Sequence, residues 1–338
     1  MGIKQLNHFL IENCTQKAIY KTSLKQFSNK TVVIDTSIYL YKFAEKNAVA
    51  ENIYLMISVF RQYNIVPVFV FDGKPPAEKK ALLIKRKIEK DAAEAKYNEL
   101  KTVVESVVND SIIESDTTRE TLLCQMEQLK KQFVRVTETD IEKSKEIMSS
   151  YGVTYIESRG ESDHLCAFLV KHGFAWACMS DDMDMFLYGC PRVIRHLSLL
   201  NHEGIYYDTA QILYDLDMTQ EVFNDIAILS GTDYNANEQK SLSDTVRLYM
   251  RFREWSNLNS LRRNAVIKSF YEWLIENTNY INNLDNLKRI RVIFDLDVFL
   301  ETHKDEFKDV VDTMPFQLRE VNIMKMKDVL RDDGFIFV

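Results

Sequence analysis

The sequence predicts an α/β fold with a mostly parallel central sheet flanked by helices, a helical insertion and a helical C-terminal region. Short continuous apolar runs of strand length alternate with helix-length segments, which is typical of buried parallel strands. A highly charged stretch without glycine or proline, residues 98–135, interrupts this alternation. Beyond about residue 209 the pattern is mostly helical. Together these observations favour one large α/β unit with helical additions.

The elements follow in order along the chain. The first 75 residues have the pattern helix, strand, helix, strand, and Pro75-Pro76 ends the second unit. A helical pattern runs from Ala77 to about Tyr97, and another helix is expected over 137–150, with Thr137 or Thr139 as its cap. Four further strands are expected near residues 153–157, 174–180, 192–197 and 204–208.

Composition excludes several classes of protein. A chain of 338 residues with 46% hydrophobic and 28% charged residues can bury a full core. No apolar stretch reaches the roughly 20 residues needed to cross a bilayer, so we expect no membrane association and an intracellular location. The five cysteines are scattered without a CxxC pair, which favours reduced thiols and argues against a zinc site.

Carboxylates follow several of the predicted strands at the point where each strand ends. Because ligands gather at the carboxyl ends of the strands in an open α/β sheet, we expect these side chains to meet there. They would repel one another unless a cation joined them, and oxygen-only ligands favour Mg²⁺ or Mn²⁺ over zinc. The sequence therefore predicts a divalent-metal site suited to phosphoryl chemistry. The carboxylates concerned are Asp35, Asp72, Glu157, Glu161, Asp163, Asp181, Asp182 and Asp184.

A local cationic run contrasts with the net charge of −7. Residues 79–90 carry six lysines and arginines against one acidic residue, Glu89. Lys79 and Arg86 are seven residues apart, so on a helix they share one face about 10 Å apart along the axis. Two interpretations of residues 77–135 remain open. They form either a solvated, charged helical hairpin or an arch that holds basic groups above the metals.

Six motifs in the correct order resemble those of the flap endonuclease/XPG family of structure-specific 5′ nucleases. The resemblance runs from residue 1 to about 235. The motifs are M-G-I-K-Q-L (1–6), K-T-V-V-I-D-T-S (30–37), V-F-D-G-K-P-P (70–76), E-S-D-H-L-C-A (161–167), S-D-D-M-D (180–184) and L-S-G-T-D-Y (229–234). Each motif alone is weak, and the ordered set is specific.

The resemblance implies a PIN-like 5′-nuclease fold. It also implies phosphodiester hydrolysis in branched or flap DNA with two Mg²⁺ ions, which Mn²⁺ can replace. The implied metal ligands, direct or through water, are Asp35, Asp72, Glu161, Asp163, Asp182, Asp184 and Asp233. The implied catalytic residues are Lys79, Arg86 and Asp182. The implied DNA contacts are Gly2, Tyr41, Lys79, Lys80, Lys85 and Arg86.

The resemblance also implies four regions and a cellular role. The regions are an N-terminal nuclease region (1–98), a helical arch or cap (99–150), an internal nuclease region (151–234) and a helical C-terminal region with a degenerate duplex-binding hairpin (235–338). We expect a monomer that acts in DNA replication, repair or recombination. We expect it in the nucleus or in a viral or cytoplasmic replication compartment.

The sequence departs from the family at three places. Asp163 stands where the family has Glu, so its contact with a metal is expected through water. Residues 235–241 lack the glycines and proline of the family's duplex-binding hairpin, and the C-terminus lacks the motif that docks on sliding clamps. These departures leave two other functions open. One is a DNA-junction binding or scaffold protein with attenuated catalysis, and the other is an RNA-directed nuclease.

Individual residues also have simpler interpretations. Asp35 and Asp72 could cap the helices that follow them, and Tyr41 could belong to the core. His164 and His196 are interpreted as structural, because a site rich in carboxylates has little need of imidazole.

Overall fold

The computed structural model describes residues 3–109, 116–235, 240–260, 268–313, 316–331 and 334–335. Within these residues one sheet of seven strands forms the centre of the molecule. The strands are β1 (Ile19–Ser23), β2 (Thr31–Asp35), β3 (Val66–Phe71), β4 (Thr154–Glu157), β5 (Ala177–Met179), β6 (Arg192–Ser198) and β7 (Glu203–Asp208).

The strand order is β1-β7-β6-β5-β2-β3-β4. The five strands from β6 to β4 run parallel, whereas β7 pairs antiparallel with β6 and with β1. The predicted α/β fold with a mostly parallel sheet is therefore confirmed. β1 is not among the predicted strands, because it is an edge strand that is mostly exposed and its residues do not form an apolar run.

Helices cover both faces of the sheet. Those before β4 are α1 (Leu6–Asn13), α2 (Thr36–Ala44), α3 (Val49–Gln62), α4 (Lys80–Asn109), α5 (Asp116–Gln132) and α6 (Glu138–Ser150). Those after β4 are α7 (Ser162–Lys171), α8 (Thr209–Leu216), α9 (Gln220–Ser230), α10 (Leu242–Ser260), α11 (Phe270–Asn277), α12 (Leu284–Ile293), α13 (Leu296–Thr313) and α14 (Ile323–Arg331). The mostly helical C-terminal region is confirmed.

The alternation of side chains along each strand creates two separate cores. Val33 and Cys178 point into one core, with helices α7 and α9. Val32, Ile34 and Met179 point into the other core, with helices α3 and α6. Because both faces are covered, the central strands β2, β3 and β5 are apolar along most of their length, which explains the continuous apolar runs in the sequence. In the described part of the chain, none of the helices is both long enough and apolar enough to span a bilayer.

Helices α4 and α5 pack against each other and form the insertion. The base of α4 is fixed by Arg135, which donates hydrogen bonds to Asp91 (2.9 Å) and Glu94 (2.7 Å). The rings of Tyr97 and Phe133 add an edge-to-face contact with centroids 5.3 Å apart. The predicted boundary between residues 98 and 99 falls within α4 and does not coincide with the end of a helix or strand. The division into four regions stays a prediction.

The helix predicted over 137–150 forms as expected. Thr137 is its N-cap, and its hydroxyl accepts from the amide of Asp140 in a reciprocal capping box.

The C-terminal segment returns to the end of α6. The amide of Arg319 donates to the Gly152 carbonyl (2.9 Å) and the amide of Asn322 to the Ser150 carbonyl (2.7 Å). The C-terminal region is therefore packed onto the sheet domain.

Candidate active site

The predicted metal ligands lie at one edge of the sheet. Asp35 is the last residue of β2, and Asp72 follows β3. Glu161 is at the N-cap position of α7, the helix after β4, without a side-chain capping bond, and the Asp182 side chain caps the short 3₁₀ helix after β5. Because β5, β2, β3 and β4 are parallel neighbours, their carboxyl ends meet at this edge. Asp233 reaches the site from the turn after α9.

Two serines connect the carboxylates of different strands. The Ser162 hydroxyl donates to Asp35 Oδ1 (3.2 Å), and the Ser162 amide donates to Asp72 Oδ1 (2.8 Å). The Ser180 hydroxyl donates to Asp35 Oδ2 (2.9 Å) and accepts from the amide of Asp182 (3.1 Å). Sequence reasoning missed both serines, although each lies inside one of the quoted motifs. They connect the segments at the carboxyl ends of β2, β3, β4 and β5.

Glycine at position 73 allows the loops after β3 and β4 to meet. The Gly73 amide donates to the Gly160 carbonyl (2.7 Å), and a Cβ at this position would lie 2.0 Å from the Ser158 carbonyl oxygen. Any side chain here would force the two loops apart. Since Asp72 precedes this contact and Glu161 follows it, the contact fixes the distance between two predicted ligands.

The site becomes more exposed from its floor to its rim. Asp35 and Asp184 are 3% exposed, whereas Asp72 is an exposed residue. Burial, together with Asp72 and Asp182, raises the pKa of Asp35 to about 8. Burial and neighbouring carboxylates also raise the pKa of Asp163 and of Asp184 well above the usual range. These shifts reflect like charges brought together in a desolvated space.

The two predicted catalytic cations are paired with predicted ligands. Lys79 Nζ lies 2.7 Å from Glu161 Oε1 and 4.8 Å from the centroid of the Tyr234 ring. Burial lowers the pKa of Lys79, but Tyr234 and Glu161 outweigh it and raise the pKa above its usual range. The Tyr234 hydroxyl donates to the other oxygen of Glu161 (3.0 Å). Lys79 lies in a 3₁₀ helix before α4, so Lys79 and Arg86 are not on one continuous α-helix.

Arg86 lies on α4 itself and binds Asp233. Its Nη2 atom is 2.9 Å from each carboxylate oxygen. Asp233 is held by a turn whose centre is the buried Asn235, which accepts from the Thr232 amide (2.7 Å) and donates to the Ile228 carbonyl (2.7 Å). Tyr234 and Asn235 are further residues that sequence reasoning did not assign to the site.

The carboxylates are suitable ligands for a hard divalent cation, but in this conformation several of them bind cationic side chains or serines instead. Among the described residues, no three Asp, Glu, His or Cys side chains are arranged to hold a metal as they stand. Glu161 and Asp233 are bound to Lys79 and Arg86, and Asp35 accepts from serines. Asp184 Oδ1 is buried and accepts no hydrogen bond from any described residue. An all-oxygen donor set with an unsatisfied buried carboxylate is what Mg²⁺ or Mn²⁺ prefers.

Three of the predicted DNA contacts are exposed side chains, whereas Lys79 is buried and paired with Glu161. Tyr41 on α2 is 46% exposed, so it is not a core residue, and Lys90 Nζ lies 4.8 Å from the centroid of its ring. Lys80 and Lys85 are exposed on α4. Gly2 and residues 236–239, which include most of the predicted degenerate hairpin, lie outside the described residues.

The two histidines interpreted as structural are placed differently. His164 is buried, and its ring stacks on Phe299 with centroids 3.9 Å apart. Burial lowers the pKa of His164 to about 4, so the ring is neutral near pH 7. His196 lies on β6, half exposed, with its amide hydrogen-bonded to Asp181 (2.6 Å).

Two family models match the chain. The XPG N-terminal domain matches residues 1–93, and the XPG I-region matches residues 152–233. Together they cover about half of the sequence and include every predicted metal ligand.

Curated proteins give the same result. The chain is 31% identical to flap endonuclease 1-A of Sorghum bicolor over 253 residues, which are 69% of this chain and 62% of the relative. It is 33% identical to flap endonuclease 1 of Yarrowia lipolytica over 269 residues, 73% of this chain and 64% of the relative. The chain thus spans about three fifths of the length of these relatives.

Solved structures share the fold over almost the whole chain. The catalytic core of Rad2 in complex with a DNA substrate has a TM-score of 0.61 at 19% identity, and the match covers 99% of this chain and 95% of that one. Human GEN1 in complex with Holliday junction DNA has a TM-score of 0.56 at 17% identity, covering 99% and 74%. The flap endonuclease of Methanococcus jannaschii has a TM-score of 0.53 at 19% identity, covering 93% and 97%.

Proposed function

This chain belongs to the XPG/flap endonuclease family, and from that premise we propose that it is a structure-specific 5′ nuclease. It hydrolyses phosphodiester bonds in branched DNA, as a flap endonuclease, a 5′-3′ exonuclease or both, and depends on Mg²⁺ or Mn²⁺. Its role lies in DNA replication, repair or recombination, and it acts as an intracellular monomer.

One observation carries the proposal. Carboxylates from four parallel strands lie at one edge of the sheet, and burial together with this proximity raises the pKa values of Asp35, Asp163 and Asp184. Such a cluster opposes folding unless cations neutralise it. A pocket of this kind is suited to binding divalent ions.

Seven residues would hold the metal ions, directly or through water. They are Asp35, Asp72, Glu161, Asp163, Asp182, Asp184 and Asp233. When bound, a pair of divalent ions would activate the attacking water and stabilise the leaving oxygen. Asp35 and Asp184 form the buried floor of the site, and Asp72 lies at its open rim, where DNA can approach.

The cations of the chain would act on the phosphate. Arg86 is half exposed on α4, so it can exchange Asp233 for the scissile phosphate and bind it through two parallel hydrogen bonds. Lys79 is buried against Tyr234 and offers a charge close to the carboxylates. Tyr41 would stack on a base, while Lys80, Lys85 and Gly2 would contact the backbone.

A labelled 5′-flap duplex tests the proposal in Mg²⁺ and in Mn²⁺. The wild type should cleave the flap, and Asp182→Ala should abolish cleavage. Glu157→Gln is the matched control, because Glu157 also ends a strand of this sheet but pairs with Lys145 (2.8 Å) outside the predicted ligand set. It should cleave like the wild type.

Three other outcomes separate the alternatives. Salt-sensitive binding of junction DNA without cleavage would favour a scaffold protein, as the altered segment 235–241 suggests. Preferential cleavage of a matched RNA flap would favour an RNA-directed nuclease. Equal cleavage by the wild type and Asp182→Ala would contradict the proposed mechanism.

A further inference from the structure

Arg195 on β6 is a buried cation that the proposed chemistry does not use. Arg195 is only 5% exposed, and it forms no direct ion pair with a described carboxylate. Against the effect of burial, it lowers the pKa of the nearby Asp181 together with the His196 amide and Lys42. Its partners are neutral oxygen atoms and the Tyr207 ring, whose centroid lies 5.5 Å from the guanidinium carbon. Its Nε atom finds no acceptor among the described residues. Burying a charge in this way costs stability, so the residue calls for a role other than packing.

One side of the Arg195 guanidinium holds the loop that carries two predicted metal ligands. Nη2 donates to the main-chain carbonyl of Asp181 at 2.9 Å, one residue before Asp182. The neighbouring residues of β6 hold the same loop. The Ile194 carbonyl accepts from the Ser180 amide (3.1 Å), and the His196 amide donates to Asp181 Oδ1 (2.6 Å).

The backbone of β6 is irregular where it contacts this loop. His196 has a φ of 54°, in the left-handed region, and the pairing of β6 with β7 is irregular between Arg195 and Ser198. This irregularity turns the His196 amide away from β7 and toward Asp181. Lys42 of α2 completes the contacts of Asp181, with Nζ 3.4 Å from its carboxylate.

The other side of Arg195 holds the N-terminal helix. Nη1 donates to Asn7 Oδ1 at 2.5 Å, and the same oxygen accepts from the Tyr207 hydroxyl at 2.8 Å. Asn7 lies in the first turn of α1. A single planar side chain therefore joins α1 to the loop that begins at Asp181, residues that are far apart in sequence.

We propose that Arg195 is a positioning residue for the metal site. It fixes the main chain at Asp181, so that Asp182 and Asp184 point toward the edge of the sheet where Asp35 lies. Through Asn7 it keeps α1 at a constant distance from this loop. The inference rests on the proposed function, because its effect is transmitted through the predicted metal ligands.

The test uses Mn²⁺ alone as the probe, with free Mn²⁺ followed by electron paramagnetic resonance on the full chain. Arg195→Met removes both hydrogen bonds, whereas Arg195→Lys keeps the charge but loses the planar fork. Loss of a residue that orients metal ligands typically weakens affinity about 10- to 100-fold. We expect that loss for Arg195→Met and a smaller one, nearer 10-fold, for Arg195→Lys. Asn7→Ala should weaken Mn²⁺ binding less than Arg195→Met.

Arg192→Lys is the matched control. Arg192 lies at the start of the same strand, donates Nε to the Trp176 carbonyl (2.5 Å) and lies over the Trp176 ring (5.3 Å). It should lower the thermal midpoint but leave Mn²⁺ affinity unchanged. This difference separates a positioning role from a general effect on folding.

The outcomes are distinguishable. If the Arg195 variants bind Mn²⁺ as tightly as the wild type while losing only thermal stability, Arg195 is a packing residue and the inference is wrong. If Arg192→Lys weakens Mn²⁺ binding as much as Arg195→Lys, the effect is not local and the inference is also wrong. If the wild type itself binds no Mn²⁺, the proposed function is contradicted.

Discussion

The negative and positive halves of the candidate site are built on different supports. Most of the carboxylates lie at or after the ends of strands of the central sheet, Asp233 in the turn after α9 being the exception. Asp35 is hydrogen-bonded to Ser162 and Ser180 of neighbouring loops. Arg86, by contrast, lies on α4, outside the sheet, and contacts the site through its ion pair with Asp233. A rigid anionic edge thus faces a cation on a separate helix.

This difference suggests a division of labour. The sheet edge would bind metal ions in a geometry set by the fold, and α4 would respond to the substrate. In the structure the two halves neutralise each other through the pairs Lys79–Glu161 and Arg86–Asp233. Metal ions and DNA phosphate would have to replace these pairs, the metals taking the carboxylates and the phosphate taking the cations. Four substitutions or conditions test this comparison.

The largest effect is expected on the anionic edge. Asp184→Asn should lower single-turnover cleavage in Mg²⁺ by on the order of 10³-fold, since a buried ligand would lose its charge. The same change should raise the thermal midpoint of the metal-free protein, because it removes one of the repelling carboxylates. A variant that loses both activity and stability would argue that Asp184 is structural.

A smaller effect is expected on the cationic side. Arg86→Ala should reduce cleavage by roughly 10²-fold through loss of phosphate contact. It should leave Mn²⁺ affinity unchanged or tighter, because Asp233 is released from its ion pair. Lys96→Ala, an exposed lysine on the same helix, serves as the control for a general change in charge. A large loss of Mn²⁺ affinity in Arg86→Ala would break the proposed division of labour.

The third test uses pH in metal-free buffer. The pKa of Asp35 is raised to about 8, and burial raises that of Asp225 to about 7 although Arg291 opposes the shift. A raised pKa means that the folded state binds more protons than the unfolded state, so these two groups lower the free energy of unfolding as pH rises from about 4 to 8. The lowered pKa of His164 acts in the opposite direction below about pH 6.5, so the net fall is expected between about pH 6.5 and 8. Urea unfolding at pH 6.5 and pH 8 measures this fall, expected to be a few kcal/mol.

Two further measurements, with added Mg²⁺ and with Asp225→Asn, separate the contributions of the metal site and of Asp225 to this fall in the free energy of unfolding. Mg²⁺ should raise the free energy of unfolding at pH 8, because ions bound at the sheet edge neutralise Asp35 and its neighbours. Asp225 pairs with Arg291 (3.2 Å) between α9 and α12, outside the predicted ligand set, so Asp225→Asn should remove only the Mg²⁺-insensitive part. A stability profile that Mg²⁺ leaves unchanged would show that the carboxylates do not share a cation.

The smallest effect is expected at the rim. Tyr41→Leu should weaken binding of branched DNA several-fold, corresponding to about 1 kcal/mol of base stacking. It should not change Mn²⁺ affinity, since Tyr41 is exposed on α2 and does not touch the carboxylates. Tyr214→Leu, an exposed tyrosine on α8, is the matched control. Fluorescence anisotropy measures the DNA affinity. If Tyr41→Leu binds DNA as tightly as the wild type, Tyr41 does not contact the DNA.

The sequence locates the carboxylates at the strand ends because their position in the fold depends on local patterns. An apolar run followed by Asp35 or Asp72 marks both a buried strand and its carboxyl end, and Thr137 marks a helix start by its capping box. These signals need only a few neighbouring residues. The XPG motifs extend the same information to Asp233.

What the sequence does not predict depends on contacts between distant segments. Ser162 joins Asp35 to Asp72, and Arg195 joins Asn7 to Asp181, and no local pattern specifies either contact. The edge strand β1 was missed because an exposed strand lacks an apolar run. The pairing of Lys79 with Glu161 likewise depends on how the 3₁₀ helix before α4 packs against the loop after β4.

Anomalous diffraction from crystals soaked in Mn²⁺ tests the central claim most directly. The account predicts two manganese peaks about 4 Å apart at the carboxyl edge of the sheet, contacted by Asp35, Asp182 and Asp184. The same two peaks should remain in Arg86→Ala. Peaks elsewhere on the molecule, or none at this edge, would contradict the account.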